Sequence, residues 1–261
     1  MRIGLIIIGD EILSGKRTDQ HFPKVVQLLA ARGLQLSWAE FLGDDRERIT
    51  ATLKRTFASG DIVFSCGGIG ATPDDHTRQA AAAALGLPLA LHEGAKESIQ
   101  QRVRQVAEEK GEVADLKSAE NLQRLQMAEF PQGAALIPNP YNNVAGFAHG
   151  THYFVPGFPV MAWPMIEWVL DTHYADLFNR EPRAERSVLV YEAAEAALTP
   201  LMLALETAWP RIKVFSLPSV GDAKTRRHIE LGVKGDPPQC EAAFVQMCRE
   251  LDALKVEYVK P

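Results

Sequence analysis

Residues 61–75 read DIVFSCGGIGATPDD. The first six, with Ile62, Val63, Phe64 and Cys66 apolar, read as a buried strand. Gly67, Gly68 and Gly70 follow, and an alanine-rich segment at about 75–85 then keeps helical spacing until Gly86 closes it. Strand, glycine turn and helix make half of a βαβ unit, and the same grammar recurs upstream. IGLIII (3–8) is a second apolar run, ending at Gly9. Phe22, Val25, Val26, Leu29 and Ala30 repeat at helical intervals across 20–32, with Gly33 as a stop. LQLSWAEFL (34–42) reads as a strand, and 45–58 as a helix with Ile49, Leu53 and Phe57 on one face. Strands alternating with helices of this length predict an α/β, three-layer domain: a mixed, mainly parallel sheet with helices on both faces.

Downstream, helices are expected at about 93–110 and 117–129, then the short strands AALIPN and GFAHGTHYFVPG, with a hairpin turn at His149-Gly150-Thr151. Residues 158–178 read as a helix with Pro164 in its first turn, since an interior proline costs ~3 kcal/mol. NREPRAER (179–186) is polar, carries a proline and reads as a linker. Beyond it the pattern is strand 187–191, helix 199–208, strands 212–217 and 227–234, helix 238–251 and strand 254–259. That order is β-α-β-β-α-β, the split βαβ of a small α+β domain. The expected domains are therefore 1–178 and 187–261. No internal repeat or low-complexity segment is apparent.

Composition bounds the function classes. Hydrophobic residues make up 46% of the 261 and charged residues 23%, as in an ordinary globular protein. The net charge of −5 argues against a broad nucleic-acid-binding surface. Cys66, Cys240 and Cys248 have no metal-type spacing and read as reduced thiols. The opening MRIGLIII runs straight into GDEILSGKR with no cleavage site, and no run approaches the ~18 apolar residues of a membrane span. A soluble, cytoplasmic protein with no membrane partner is expected.

The chemistry concentrates at strand ends. A glycine turn between a strand and a helix lets backbone N–H groups approach an anion, so Gly67, Gly68, Ile69 and Gly70 are candidates to hold a phosphate; plain turn chemistry accounts for the glycines equally well. Asp74 and Asp75 would repel that phosphate unless a divalent cation lay between them. The alternative is that Asp74 caps the helix. In a parallel sheet ligands gather at the carboxyl ends of strands, so Gly9, Asp10 and Glu11 and also Asp44 and Asp45 reach the same edge. Asp44 taken singly reads as an N-cap. Asp10, Glu11, Asp74 and Asp75 form the candidate metal set, with magnesium as the ion. His149 and His152 sit at the hairpin and do not by themselves make a metal site, while His21 and His76, beside the pocket, read as polar and solvent-facing. Cys66 reads as a small core residue, and Phe154 and Tyr141 as packing.

GDEIL-SG (9–15), GDD (43–45), GGIGATPDDHT (67–77), LIPNP (136–140) and PGFP (156–159) occur in the order found in the N-terminal region of competence/damage-inducible protein A (CinA), a branch of the MoaB/Mog molybdopterin-binding superfamily. The chain resembles that family over about 1–175, and more weakly, through LPSVGD and HIELGVKG, from 187 onward. The resemblance implies a MogA-like domain binding a pterin or a nucleotide-like phosphate. It extends the ligand-binding set to Gly9, Thr72, Pro138, Asn139, Pro156 and Gly157, and gives Asp44 and Asp75 catalytic roles. It further implies a divalent-metal-dependent nucleotide pyrophosphatase, using magnesium or cobalt and acting on ADP-ribose or a related dinucleotide. The alternative is a non-catalytic molybdopterin-binding or scaffolding protein linked to molybdenum cofactor biosynthesis. A homo-oligomer is expected, and the deamidase domain of many CinA proteins is not. The chain departs from the family pattern at Thr18-Asp19-Gln20-His21, at Asn142-Asn143-Val144-Ala145-Gly146, and at Val160-Met161-Ala162 after PGFP.

Overall fold

The apolar run Ile3–Ile8 becomes strand β1, buried along its whole length. The computed structural model describes residues 2–180, 182–222 and 225–260. Its contacts fall into two units, Met1–Phe178 and Asn179–Pro261.

In the first unit β1 is followed by a single helical turn, α1 (Asp10–Leu13), then α2 (His21–Ala30), β2 (Trp38–Leu42), α3 (Arg46–Phe57), β3 (Ile62–Cys66) and α4 (Thr77–Leu85). Next come β4 (Leu89–Leu91), α5 (Glu93–Lys110), α6 (Ala119–Leu125), β5 (Glu129–Pro131), β6 (Ala135–Ile137), β7 (Gly146–His149), β8 (His152–Val155) and α7 (Pro159–His173). The main sheet has the order β2-β1-β3-β8-β7-β6. Its β2, β1, β3 and β8 are mutually parallel, and β7 runs antiparallel to both β8 and β6. The mixed, mainly parallel sheet is as expected. The small antiparallel pair β4–β5 was not foreseen; three-residue strands are too short to show a period.

Alternation along β1 decides the layers. Ile3, Leu5 and Ile7 pack with α2 and α7, through Val25, Leu29, Met165, Ile166 and Val169. Ile6 and Ile8 face the opposite way, toward α3, α4 and α5, with Ile49, Leu53, Ala80 and Ile99. Burial of each large aliphatic chain stabilises by about 1.5–3 kcal/mol. Phe130, Phe147 and Phe154 stack in the second layer at centroid separations of 4.8 and 4.3 Å.

Several boundaries differ from the sequence reading. α4 starts at Thr77, because the preceding residues are spent on a turn described below. Gly86 closes it in the left-handed region, at φ 68. The helix expected over 117–129 yields to a 3-10 turn at Gln126–Ala128 and then to β5. Pro164 lies inside α7, because Pro159 takes the first helical turn. The amide that Pro164 lacks would have met the carbonyl of Val160, whose residue is 52% exposed, so solvent can serve that carbonyl.

The second unit holds β9 (Ala184–Tyr191), α8 (Glu195–Ala208), β10 (Ile212–Ser219), β11 (His228–Gly235), α9 (Pro237–Ala253) and β12 (Tyr258–Val259). Its antiparallel sheet has the order β10-β11-β9-β12, the split arrangement expected. Leu198, Leu201 and Leu205 of α8 and Ala243, Met247 and Leu251 of α9 pack on Val188, Val190, Leu231 and Val233. β9 begins inside the expected linker, whose Glu181 lies outside the described residues. Among the described residues, no helix is long and apolar enough to cross a membrane.

Candidate functional site

The carboxyl ends of β1, β2, β3 and β8 meet at one edge of the main sheet. After β1 the chain passes to α2 on one face, and after β3 to α4 on the other. The two chain directions part between β1 and β3, and that parting opens the crevice where parallel α/β sheets place ligands.

Gly67 and Gly68 line this crevice. The Gly67 amide donates to Val155 O (3.0 Å), joining the ends of β3 and β8. At φ 109 a Cβ on Gly67 would drive into the carbonyl oxygen of Ile8, and one on Gly157 would lie 3.4 Å from Gly67 Cα. Gly68, at φ 69, has no room for a side chain against Thr77 Oγ1.

Four carbonyls of the loop are tied back to the protein. Gly67 O accepts from Thr77 Oγ1 (3.0 Å) and Gly68 O from the Thr77 amide (2.9 Å). Gly70 O accepts from Arg78 Nη2 (2.6 Å) and Ala71 O from Gln123 Nε2 (3.0 Å). Because a trans peptide points its N–H opposite to its C=O, the amides of Gly68, Ile69, Ala71 and Thr72 face the other way. Thr72 donates both its amide (2.8 Å) and its hydroxyl (2.5 Å) to Asp75 Oδ2. Among the described residues, no acceptor is found for the amides of Gly68, Ile69 or Ala71. A run of unpaired amides on one side of a loop is an anion-binding concavity.

The carboxylates take distinct places around it. Asp45, not Asp44, caps α3, accepting from the Arg48 amide (2.9 Å). Asp44 is therefore free to face β1. Its Oδ2 accepts the Asp10 amide (2.8 Å), while Asp10 Oδ1 accepts the Asp44 amide (3.2 Å). Partial burial raises the Asp44 carboxyl above its ordinary range. The Asp10 amide opposes that rise, and the charges of Asp10, Asp74 and Glu11 add to it. Neither Asp74 nor Asp75 caps α4, whose N-cap is His76; Asp75 instead closes the turn back to Thr72. Among the described residues, no three His, Cys, Asp or Glu side chains converge as ligands.

His21 is only 5% exposed, against the expected solvent-facing role. Its Nε2 lies 3.1 Å from Gly157 O, so the ring donates there, and Asp19 accepts the amides of His21 and Phe22 at the start of α2. His152 is also buried, with Nε2 3.0 Å from Thr56 Oγ1 and its ring against Phe57. His149 at the hairpin is half-buried. Cys66 and Phe154 are core residues, and burial pushes the Cys66 thiol up.

Residues 4–175 match the family described as "Probable molybdopterin binding domain". The chain belongs to the molybdopterin-binding domain family. A CinA-like protein of Anaeromyxobacter sp. (strain Fw109-5) is 29% identical over 278 residues, 98% of this chain and 64% of that protein. A second, from Anaeromyxobacter sp. (strain K), is 30% identical over 257 residues, covering 90% and 60%. The chain thus spans less than two thirds of the length of these relatives. Among solved structures, the CinA protein of unknown function from Thermoplasma acidophilum superposes with a TM-score of 0.55 at 24% identity, over 66% of this chain and 98% of that one. This likeness shows a shared fold.

Within the molybdopterin-binding domain, Gly9, Asp10, Glu11, Asp44, Gly67–Gly70, Thr72, Asp74, Asp75, Pro156 and Gly157 follow the carboxyl ends of β1, β2, β3 and β8. Pro138 and Asn139 follow β6 but line a different cleft of about 590 Å³, with Ser98, Gln101, Pro164 and Trp168. Asn139 is 3% exposed and organises its own loop, donating to Asn142 Oδ1 and Val144 O and accepting from the Tyr141 amide. Sequence reasoning missed Arg78 and Gln123, and it placed His21 beside the pocket without foreseeing its burial. Arg78 lies in an alanine-rich helix and Gln123 is 52 residues from the carbonyl it meets, so no local pattern reports either.

Proposed function

We propose that the first unit binds a phosphorylated pterin- or nucleotide-like ligand at the β1/β3 crevice and hydrolyses a pyrophosphate such as ADP-ribose with the help of a divalent cation. The observation that carries this reading is the facing of two opposite features across one strand edge: unpaired amides of the Gly67–Thr72 loop, and an Asp44 carboxyl raised by burial and by the charges of Asp10, Asp74 and Glu11. Unpaired amides attract an anion. Crowded carboxylates repel it and call for a cation between.

The donor set suits magnesium-type binding. Such an ion is held by one or two carboxylates and completes its shell with substrate phosphates and water, so a cage of three protein ligands is not required. One or two of the carboxylates Asp10, Glu11, Asp44 and Asp74 would hold it, with phosphate oxygens and water completing the shell. When bound, the cation would screen the pyrophosphate charge and act as a Lewis acid. The chain's own part is positional. Gly68, Ile69 and Ala71 would hold phosphate oxygens through N–H groups, and Asp75 keeps the loop closed through Thr72 with Oδ2, its Oδ1 being left to face the cation.

The experiment is incubation of ADP-ribose with protein and Mg²⁺ or Co²⁺. AMP and ribose 5-phosphate are expected, and EDTA should stop their release. No turnover with any divalent metal, across a panel of dinucleotides, would overturn the hydrolase reading.

One observation favours a second reading, a non-catalytic molybdopterin-binding or scaffolding protein. Asp75 spends one oxygen on two donors of its own loop, and this leaves the candidate set one free carboxylate oxygen fewer. A pterin recovered from natively purified protein, with no hydrolysis of dinucleotides, is the result that reading expects.

A further inference from the structure

Among the described residues Arg78 is the bulkiest side chain buried below 2% exposure, and none of their ion pairs includes it. Its guanidinium ends on three main-chain carbonyls: Gly70 of the glycine loop (2.6 Å), Gln126 of the 3-10 turn, and Glu129 of β5 (3.4 Å). Burial lowers its pKa, and the nearby charges of Asp75 and Glu129 oppose that effect. Burying a guanidinium is costly unless its donors are satisfied, and its Nε finds no partner among the described residues. Such an arrangement persists when the surroundings need those carbonyls held.

Gln123 makes the second tie from the same quarter. Its Nε2 donates to Ala71 O (3.0 Å), and it exchanges side-chain amide hydrogen bonds with Gln126 (3.0 and 3.2 Å). Gln126 in turn gives its main-chain carbonyl to Arg78. Two successive carbonyls of the loop, Gly70 and Ala71, are thus anchored to one network that joins α4, α6 and the 3-10 turn.

We propose that Arg78 and Gln123 are positioning residues of the phosphate loop. By holding the Gly70 carbonyl, Arg78 sets the peptide plane that aims the unpaired Ala71 amide, and by holding the Ala71 carbonyl, Gln123 sets the plane whose Thr72 amide closes the loop on Asp75, so that the α6 segment becomes a determinant of anion affinity. This rests on the reading of the loop as a phosphate site.

The test uses the full chain, with inorganic pyrophosphate and ADP-ribose as probes in the presence of Mg²⁺. Gln123 is exposed, so Gln123→Met removes the donor without disturbing a core. Affinity for both probes should fall by about threefold to tenfold, as expected for one lost hydrogen bond, while the melting temperature stays at the wild-type value. The backbone amide resonances of Ala71 and Thr72 should shift in the unliganded variant. Arg78→Lys keeps the charge but cannot span three carbonyls; affinity should fall further and the melting temperature with it. If wild type binds the probes and Gln123→Met binds them equally, with unmoved loop amides, the positioning role is overturned and the proposed function stands. If wild type binds neither probe, the phosphate-loop reading falls and takes this inference with it.

Discussion

Asp10 and Asp44 each accept the other's backbone amide, Asp44 Oδ2 at 2.8 Å and Asp10 Oδ1 at 3.2 Å, so that the ends of β1 and β2 are locked by two carboxylates of like charge. Two hydrogen bonds from neutral donors hold together groups that repel. The lock costs stability as charge builds up, and it keeps two acidic oxygens free beside the crevice.

That cost has a sign that can be measured. The folded-state pKa of Asp44 is raised, so in the window above its unfolded value the folded state binds more protons and stability falls as pH rises. Asp44→Asn keeps an acceptor for the Asp10 amide and removes the charge. At neutral pH it should melt slightly higher than wild type, by under ~1 kcal/mol because the site is largely solvated. Metal-dependent binding of ADP-ribose should fall by about tenfold or more. A variant that melts lower and binds normally contradicts both halves.

Asp75→Asn separates loop closure from charge. Asparagine retains an oxygen for the Thr72 amide and hydroxyl, so denaturant midpoints should move by less than about 1 kcal/mol. Turnover with Mg²⁺ should drop by about an order of magnitude, since a hard cation needs anionic oxygen. Wild-type turnover in a stable Asp75→Asn protein would remove Asp75 from catalysis.

Gly68→Ala tests the loop backbone. A methyl group there meets Thr77 Oγ1, the donor that holds Gly67 O, in a conformation with φ 69. A loss of about 1–3 kcal/mol is expected from strain alone, together with loss of pyrophosphate binding in calorimetry. Full stability and full binding would mean that the loop adopts another conformation.

His152 predicts an acid-side loss of stability. Burial pushes its pKa down to about 4, opposed in part by Asp61. Between the unfolded value of 6.5 and about 4 the unfolded state binds the extra proton, so stability is full above this window and is lost as pH falls through it. The total is on the order of 3 kcal/mol. His152→Gln cannot titrate and should flatten the curve of melting temperature against pH over that range. An unchanged curve would assign the acid transition to other groups.

A chain ending near Asn179 should fold cooperatively and keep the ligand binding of the full protein, since each unit carries its own buried cluster. Aggregation or a broad melt would place part of the first core beyond that point.

The strand–glycine–helix grammar was legible because β1 and β3 are buried on both faces: β1 leaves the unbroken apolar run IGLIII, and β3 is interrupted only by Ser65. The order of the second sheet was legible for a related reason: β9 and β11 alternate cleanly, with Val188, Val190, Ile229 and Leu231 inward. Capping was harder to read. Asp44 and Asp45 are adjacent and chemically equivalent, and only the start of α3 decides that Asp45 caps. His21 reads as polar in one dimension, but in the fold it is buried with its ring on the Gly157 carbonyl. Arg78 and Gln123 matter through carbonyls far off in sequence, and spacing carries no trace of them.

Gly67 sits where two strand ends close on it, Ile8 on one side and Gly157 on the other. Any side chain at that position must spread β1 from β3 before it can obstruct a ligand. Mutagenesis there cannot assign contact: a dead Gly67 variant reports a broken frame as readily as an empty site. Chemical mapping that leaves the residue intact, such as amide shifts on titration, is the form of evidence this position admits.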